Sequence, residues 1–219
     1  MASIVAPVRV EIFSDVVCPW CYIGKARFQA AMHRLGDPTI EVVYHPFQLD
    51  PSAPTGSPSP VVEAYAKKFG GPERAQAILD HVTAIAADDG LHFAMDRALR
   101  ANTRLAHRLL LAAELPEDPQ QQSALYERLF SAYFCEGLDI GDHDTLVRLA
   151  AESGMEPTLA HAALTDSRYD DQLTARLDQA ASLGVTAVPT FVIDRQWQIP
   201  GAQDVEFFER TIRRLLDQS

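Results

Sequence analysis

Two cysteines three positions apart, Cys18 and Cys21, enclose Pro19 and Trp20 in the segment Cys18-Pro19-Trp20-Cys21. Thiols so spaced at the start of a helix face each other across one turn, and the unpaired N–H groups there favour a thiolate. The chemistry that follows is thiol-disulfide exchange: Cys18 attacks a substrate disulfide, a mixed disulfide forms, and the deeper Cys21 resolves it. The same spacing also serves as half of a zinc site, which needs two further ligands. Cys135 is the only other cysteine and no two of the seven histidines are close in sequence, so no metal is expected. Two inert buried thiols are a third reading, disfavoured by Pro19, a residue suited to the first position of a helix.

A second feature is Gly184-Val185-Thr186-Ala187-Val188-Pro189-Thr190-Phe191, a proline set directly before an apolar run. X-Pro bonds are the peptide bonds in which cis costs little, so a cis Val188-Pro189 bond would kink the chain and turn its backbone toward the thiols. There it could pair with an extended substrate segment. Taken alone the motif fits an ordinary trans proline at a strand start equally well. Its place relative to the cysteine pair favours the first reading.

The elements that must position these groups follow from periodicity. Residues 8–13 alternate apolar and polar types and read as a strand, 19–35 as a helix with Cys18 near its N-cap and Gly36 as its stop, and 41–47 as a second strand that Pro46 marks as an edge or an end. A stretch rich in Pro, Ser, Thr and Gly over 50–60 leaves this unit. From 61 to 183 the spacing is helical, broken at Gly70-Gly71-Pro72, Pro116-Glu117-Asp118-Pro119, Gly141-Asp142 and Gly154-Met155-Glu156-Pro157. The last of these helices, 169–183, leads into a buried strand at 190–193, a hairpin partner at 196–199 and an amphipathic helix at 205–216. This is an α/β chain in thioredoxin order: a discontinuous thioredoxin-like domain over 1–60 and 165–219, with a large all-helical insertion domain over 61–164 after the second strand.

At 219 residues with 47% hydrophobic composition the chain can bury a sizeable core. Its net charge of -11 repels phosphate backbones, which sets nucleic acid aside as a partner. No apolar run approaches the roughly 20 residues that span a bilayer, so no membrane association is expected. Met1-Ala2-Ser3-Ile4-Val5-Ala6-Pro7 is too short and uncharged for a secretory leader, which gives a cytoplasmic expectation if the first methionine is native. Three cysteines do not make a disulfide framework.

Phe13-Ser14-Asp15-Val16-Val17-Cys18-Pro19-Trp20-Cys21 together with residues 184–191 resembles the DsbA-like oxidoreductases, most closely the FrnE-like branch. Further matches are Pro46-Phe47-Gln48-Leu49-Asp50-Pro51, Ala101-Asn102-Thr103-Arg104-Leu105-Ala106-His107-Arg108-Leu109, Glu136-Gly137-Leu138-Asp139-Ile140 and Pro200-Gly201-Ala202-Gln203, so the resemblance spans nearly the whole chain. It implies a thioredoxin core interrupted by a helical insert, with Val188 and the cis Pro189 facing the dithiol and Pro19 and Trp20 supporting it. The strongly oxidising periplasmic members carry histidine where Trp20 stands. A neutral aromatic there implies a milder dithiol than DsbA, whose potential is about −120 mV, and suits a reductase or isomerase.

Glutathione-dependent 2-hydroxychromene-2-carboxylate isomerases and kappa-class glutathione transferases share this insert architecture but use serine in place of Cys18. Asn102 and His107 bear on that alternative, since residues 103 and 107 share a helix face turned from the Leu105 and Leu109 stripe and could line a cleft between insert and core. A solvated helix face accounts for them equally. Gln203 reads either as a helix-start residue or as a contact to a peptide cofactor. A third class is a peptide-binding or chaperone-like module without turnover. The expected partners are a protein or small-molecule disulfide and an unidentified electron donor, with no bound cofactor; glutathione or a dithiol as co-substrate, and a homodimer, stay open. Cys135 reads as a half-buried passenger, and Phe191 and Trp197 as core.

Overall fold

The computed structural model describes residues 8–114 and 118–217. The segment weighed above as a leader, and Pro116-Glu117 of one helix break, lie outside the described residues. Strand β1 (Val8–Ser14) is buried along almost its whole length because it is a central strand with helices over both faces. It pairs in parallel with β2 (Ile40–Pro46) from Val8 opposite Ile40 to Ser14 opposite Pro46. On its other side it pairs antiparallel with β5 (Thr190–Ile193), which in turn pairs antiparallel with β6 (Trp197–Pro200), giving the order β2-β1-β5-β6. The β5–β6 hairpin turns through Asp194 and Arg195, both at positive φ.

Helices α1 (Pro19–Arg34) and α9 (Val205–Leu216) cover one face of the sheet, where the ring of Phe28 lies 5.7 Å from Phe191 and 5.6 Å from Phe208. On the other face Phe13 packs with Ala180 of α8 (Ser167–Ser182) and with Val185. Between β2 and α8 the chain forms α2 (Val61–Phe69), α3 (Pro72–Asp88), α4 (Arg104–Ala112), α5 (Pro119–Ser131), a π-helical turn at Ala132–Glu136, α6 (His143–Glu152) and α7 (Pro157–Thr165). This insertion is not wholly helical. Two short strands, β3 (Ser59–Pro60) and β4 (Leu99–Arg100), form a two-residue antiparallel pair that ties the entry of α2 to the segment before α4. Among the described residues, no helix is long and apolar enough to cross a membrane.

The insertion and the sheet share one continuous apolar cluster. Tyr22 of α1 stacks on Phe130 of α5 at 4.8 Å, and Tyr44 of β2 stacks on Tyr126 of α5 at 4.6 Å. Trp197 departs from the core reading: it is 59% exposed. It opens the edge strand β6, where Ile199, two residues on, takes the inward position.

The edge of β2 is closed by a side chain rather than a strand. The buried Gln122 of α5 accepts the Tyr44 N–H at 3.2 Å and donates to the Leu110 carbonyl at 3.1 Å. Gln122→Ala strands a buried backbone N–H, and is expected to cost about 1–3 kcal/mol in a urea unfolding titration.

Candidate active site

The site is built where β1 ends and α1 begins. The Ser14 carbonyl accepts the Phe47 N–H at 3.0 Å, and the Asp15 carbonyl accepts the Cys18 N–H at 3.0 Å, so the Asp15-Val16-Val17 link is a tight corner. Cys18 is the extended N-cap of α1 and Pro19 its first residue. The Cys18 carbonyl accepts the N–H groups of Cys21 at 3.0 Å and Tyr22 at 3.3 Å. Cys18 therefore stands at the positive end of a 16-residue helix with no acidic residue in its first turn. Cys18 and Cys21 are 3% and 2% exposed, whereas Trp20, which points away from the packed interior, is 39% exposed.

The Val188–Pro189 peptide bond is cis and lies over the helix start. The Cys18 thiol donates to the Val188 carbonyl at 3.7 Å, and the Pro189 carbonyl accepts the Gly201 N–H at 2.8 Å, joining this loop to the start of the Gly201-Ala202-Gln203 turn. Gly24 makes the approach feasible. A Cβ there would sit 3.2 Å from Pro189 Cγ and 3.4 Å from the Ala202 backbone.

Burial, and next the neighbouring Cys18 thiol, push the Cys21 thiol well above its ordinary range, while the Ser14 hydroxyl and the Asp15 backbone pull it partly back. Its two neighbours Ser14 and Asp15 are themselves 2% and 0% exposed. The Asp15 carboxylate accepts the Leu49 N–H at 2.8 Å and meets His107 Nε2 at 3.1 Å, and the same nitrogen lies 2.9 Å from the Phe47 carbonyl. A ring nitrogen set between two acceptors carries the hydrogen and donates it to them. His107 of α4 thereby locks the insertion onto the corner that precedes Cys18.

A groove of about 540 Å³ runs up to Val17, the residue before Cys18, between Leu49, Tyr65 and Tyr133, with Lys67, Lys68 and Arg100 among its polar lining. The Tyr65 hydroxyl is pushed up to about 12 by burial and next by the neighbouring Cys18. One turn beyond Cys21, buried Lys25 forms an ion pair with Glu127 of α5, which also accepts the Tyr22 hydroxyl at 2.6 Å.

The residues expected from the sequence separate into two groups. Cys18, Pro19, Trp20, Cys21, Val188 and Pro189 converge on the start of α1. The other three are committed elsewhere. Asn102 donates to the Ala53 carbonyl at 2.9 Å and accepts the Arg104 N–H at 3.0 Å, which fastens the 48–53 loop to α4. Gln203 folds back on the Pro200 carbonyl at 2.7 Å. His107 lies between insert and core as its helix face implied, but it is 1% exposed, so the solvated reading does not hold. Its ring serves Asp15 rather than an open cleft. Cys135 lies in the π-helical turn, half-buried, with its thiol raised by burial.

Ser14, Asp15 and Tyr126 were not singled out in the sequence. Asp15 lies in the matched stretch Phe13-Ser14-Asp15, where an acid between an apolar strand and Val16-Val17 is the signal that could have marked it. Tyr126 gave no signal apart from helical periodicity. Among the described residues, no group of three His, Cys, Asp or Glu side chains converges as a metal site.

This architecture is shared with known proteins. The chain is similar to the uncharacterized protein YwbO of Bacillus subtilis (strain 168), with 31% identity over 94% of this chain and 96% of that one. It is similar to a probable DsbA oxidoreductase, SCO1869, of Streptomyces coelicolor, with 36% identity, a TM-score of 0.85, and 97% and 91% of the two chains covered. The fold also matches the cytosolic disulfide reductase DsbM of Pseudomonas aeruginosa at 20% identity and a TM-score of 0.67, covering 96% of this chain and all of that one. The model of the DSBA-like thioredoxin domain matches residues 9–213, so the cysteine pair, the sheet and the insertion together belong to one unit, and the chain is a member of the DSBA-like thioredoxin domain family.

Proposed function

We propose that this protein is a thiol-disulfide oxidoreductase of reductase or isomerase character, in which Cys18 opens a substrate disulfide and Cys21 resolves the mixed disulfide. One observation carries the reading: Cys18 is the N-cap residue of α1 and its sulfur lies 3.7 Å from the Val188 carbonyl, with Cys21 buried one turn beneath it. A nucleophile at a helix N-terminus, a backbone edge at Val188-Pro189 for an extended substrate, and a protected resolving thiol are the parts that exchange needs. The substrate is a protein or small-molecule disulfide. The electrons come from a thiol donor such as glutathione or a dithiol, used as co-substrate rather than held as a bound cofactor, and a reducing cytoplasm is the fitting compartment.

The test is disulfide reduction and refolding beside a glutathione-conjugation assay. Dithiol turnover is expected. Conjugation without dithiol turnover would instead favour the glutathione-dependent isomerase or transferase reading. Trp20 adds no cation or hydrogen-bond donor within the turn beyond its outward indole, so the dithiol is expected to be less oxidising than DsbA at about −120 mV. Equilibration with glutathione buffers measures this, and a potential as high as that of DsbA would remove the reductase character.

A further inference from the structure

Resolution requires a charge to form on the Cys21 sulfur in a place that excludes water, and the groups packed there decide how readily it forms. The groups around it come from four elements. Cys18 lies on the start of α1, Ser14 on the end of β1, Asp15 on the corner with its carboxylate engaged by His107 of α4, and Tyr126 on α5. Tyr126 is 1% exposed, and its ring is fixed between Tyr44 at 4.6 Å and Phe130 at 5.1 Å. Its hydroxyl has no hydrogen-bond partner among the described residues, an unusual state for a buried phenol. Ser14 is the hydroxyl that neighbours both the Cys21 sulfur and the Tyr126 oxygen.

We propose that Tyr126 and Ser14 form a donor chain to the resolving sulfur, assembled only when that sulfur is charged, so that the helical insertion takes part in the exchange step. The proposal rests on the assignment of Cys21 as the resolving thiol. When the Cys21 proton leaves, the Ser14 hydroxyl turns its hydrogen to the sulfur and presents its lone pair to the Tyr126 hydroxyl, which then gains its partner. The Cys21 lone pair forms the Cys21–Cys18 bond, and the bond from Cys18 to the substrate sulfur breaks. That sulfur leaves with the electron pair and takes up one proton, which balances the one Cys21 gave up. The substrate is reduced by two electrons and the cysteine pair is oxidised by two. A hydrogen bond made in the charged state and absent in the resting state lowers the barrier without holding the resting state back. Ser14 touches the reacting sulfur and is catalytic on this reading; Tyr126 acts through Ser14 and is a positioning residue.

The experiment is single-turnover reduction of a peptide disulfide, quenched by alkylation, so that formation and resolution of the mixed disulfide are timed separately across neutral to alkaline pH. Tyr126→Phe is expected to leave formation unchanged, to slow resolution at neutral pH about tenfold, and to move its pH profile about one unit upward. Its melting temperature is expected to stay or rise, because the deleted hydroxyl had no protein partner. Ser14→Ala slows resolution at least as much, and adding Tyr126→Phe to it has no further effect, as one chain requires. A Tyr126→Phe protein that resolves at the wild-type rate and pH overturns the proposal, as do additive effects of the two substitutions. If the wild-type protein forms no mixed disulfide at all, it is the oxidoreductase assignment that fails.

Discussion

Cys18→Ser is expected to lower disulfide reduction by about a thousandfold or more while leaving the fold intact. The attacking species in exchange is a thiolate, and a serine hydroxyl at the same place stays protonated at neutral pH, so the first bond cannot form. The substitution exchanges one small atom at a position already buried to 3% exposure, and its effect on stability is expected to stay within about 1 kcal/mol. Cys21→Ser separates the steps: Cys18 still attacks, nothing resolves, and a covalent adduct with the substrate accumulates. Non-reducing electrophoresis and intact mass measure both. A Cys18→Ser protein that keeps full activity would point to a binding module, and one that retains only glutathione conjugation to the transferase alternative, whose members use serine there.

The second large effect is on stability. Asp15→Ala is expected to cost about 3–5 kcal/mol, because it removes one partner from a fully buried pair. Asp15 is 0% exposed, and its carboxylate holds the Leu49 N–H at 2.8 Å and His107 Nε2 at 3.1 Å. Its loss leaves the half-buried Leu49 N–H without its partner and the His107 ring with the Phe47 carbonyl alone. At about 2–4 °C per kcal/mol for a chain of this size, the melting temperature falls by about 6–20 °C. His107→Ala strands the Asp15 carboxylate and is expected to be of similar size. The double substitution costs clearly less than the sum of the two, the signature of a direct partnership. Additive costs in calorimetry would show that the two residues act independently.

Periodicity made the elements legible. The strand at 8–13, the helix from Pro19 and the amphipathic end at 205–216 were visible because each has a repeat of two or 3.6 residues, and the strand at 190–193 because it is a short apolar run bounded by turn signals. Glycine and proline marked most helix breaks for the same local reason. Two features of the fold were illegible. The β3–β4 pair is only two residues long on each side and carries no alternation. Trp197 was taken for core because an aromatic in a strand is usually buried, whereas its strand is an edge and the sheet order that makes it one is not encoded locally.

The cysteine pair was legible as chemistry because its meaning lies in a spacing of three on one helix turn. Asn102 and His107 were singled out on a helix segment that could line a cleft between insert and core, and Gln203 at the turn before the last helix, and a sequence does not show which polar groups are already satisfied. Asn102 is consumed by a backbone carbonyl of the 48–53 loop and Gln203 by one of its own turn.

By itself, then, the sequence determined the cysteine pair that carries the proposed chemistry, its position at the start of a helix, and the proline that precedes the neighbouring strand. These are properties of contiguous residues, set by local backbone geometry. Only the tertiary structure decided that His107, 92 positions from Asp15, closes on it, and that Tyr126 of the insertion presents an unpaired hydroxyl beside Ser14 and Cys21. Burial and hydrogen-bond satisfaction are properties of the packed whole, and the groups around the Cys21 thiol come from β1, the corner after it, α1 and α5.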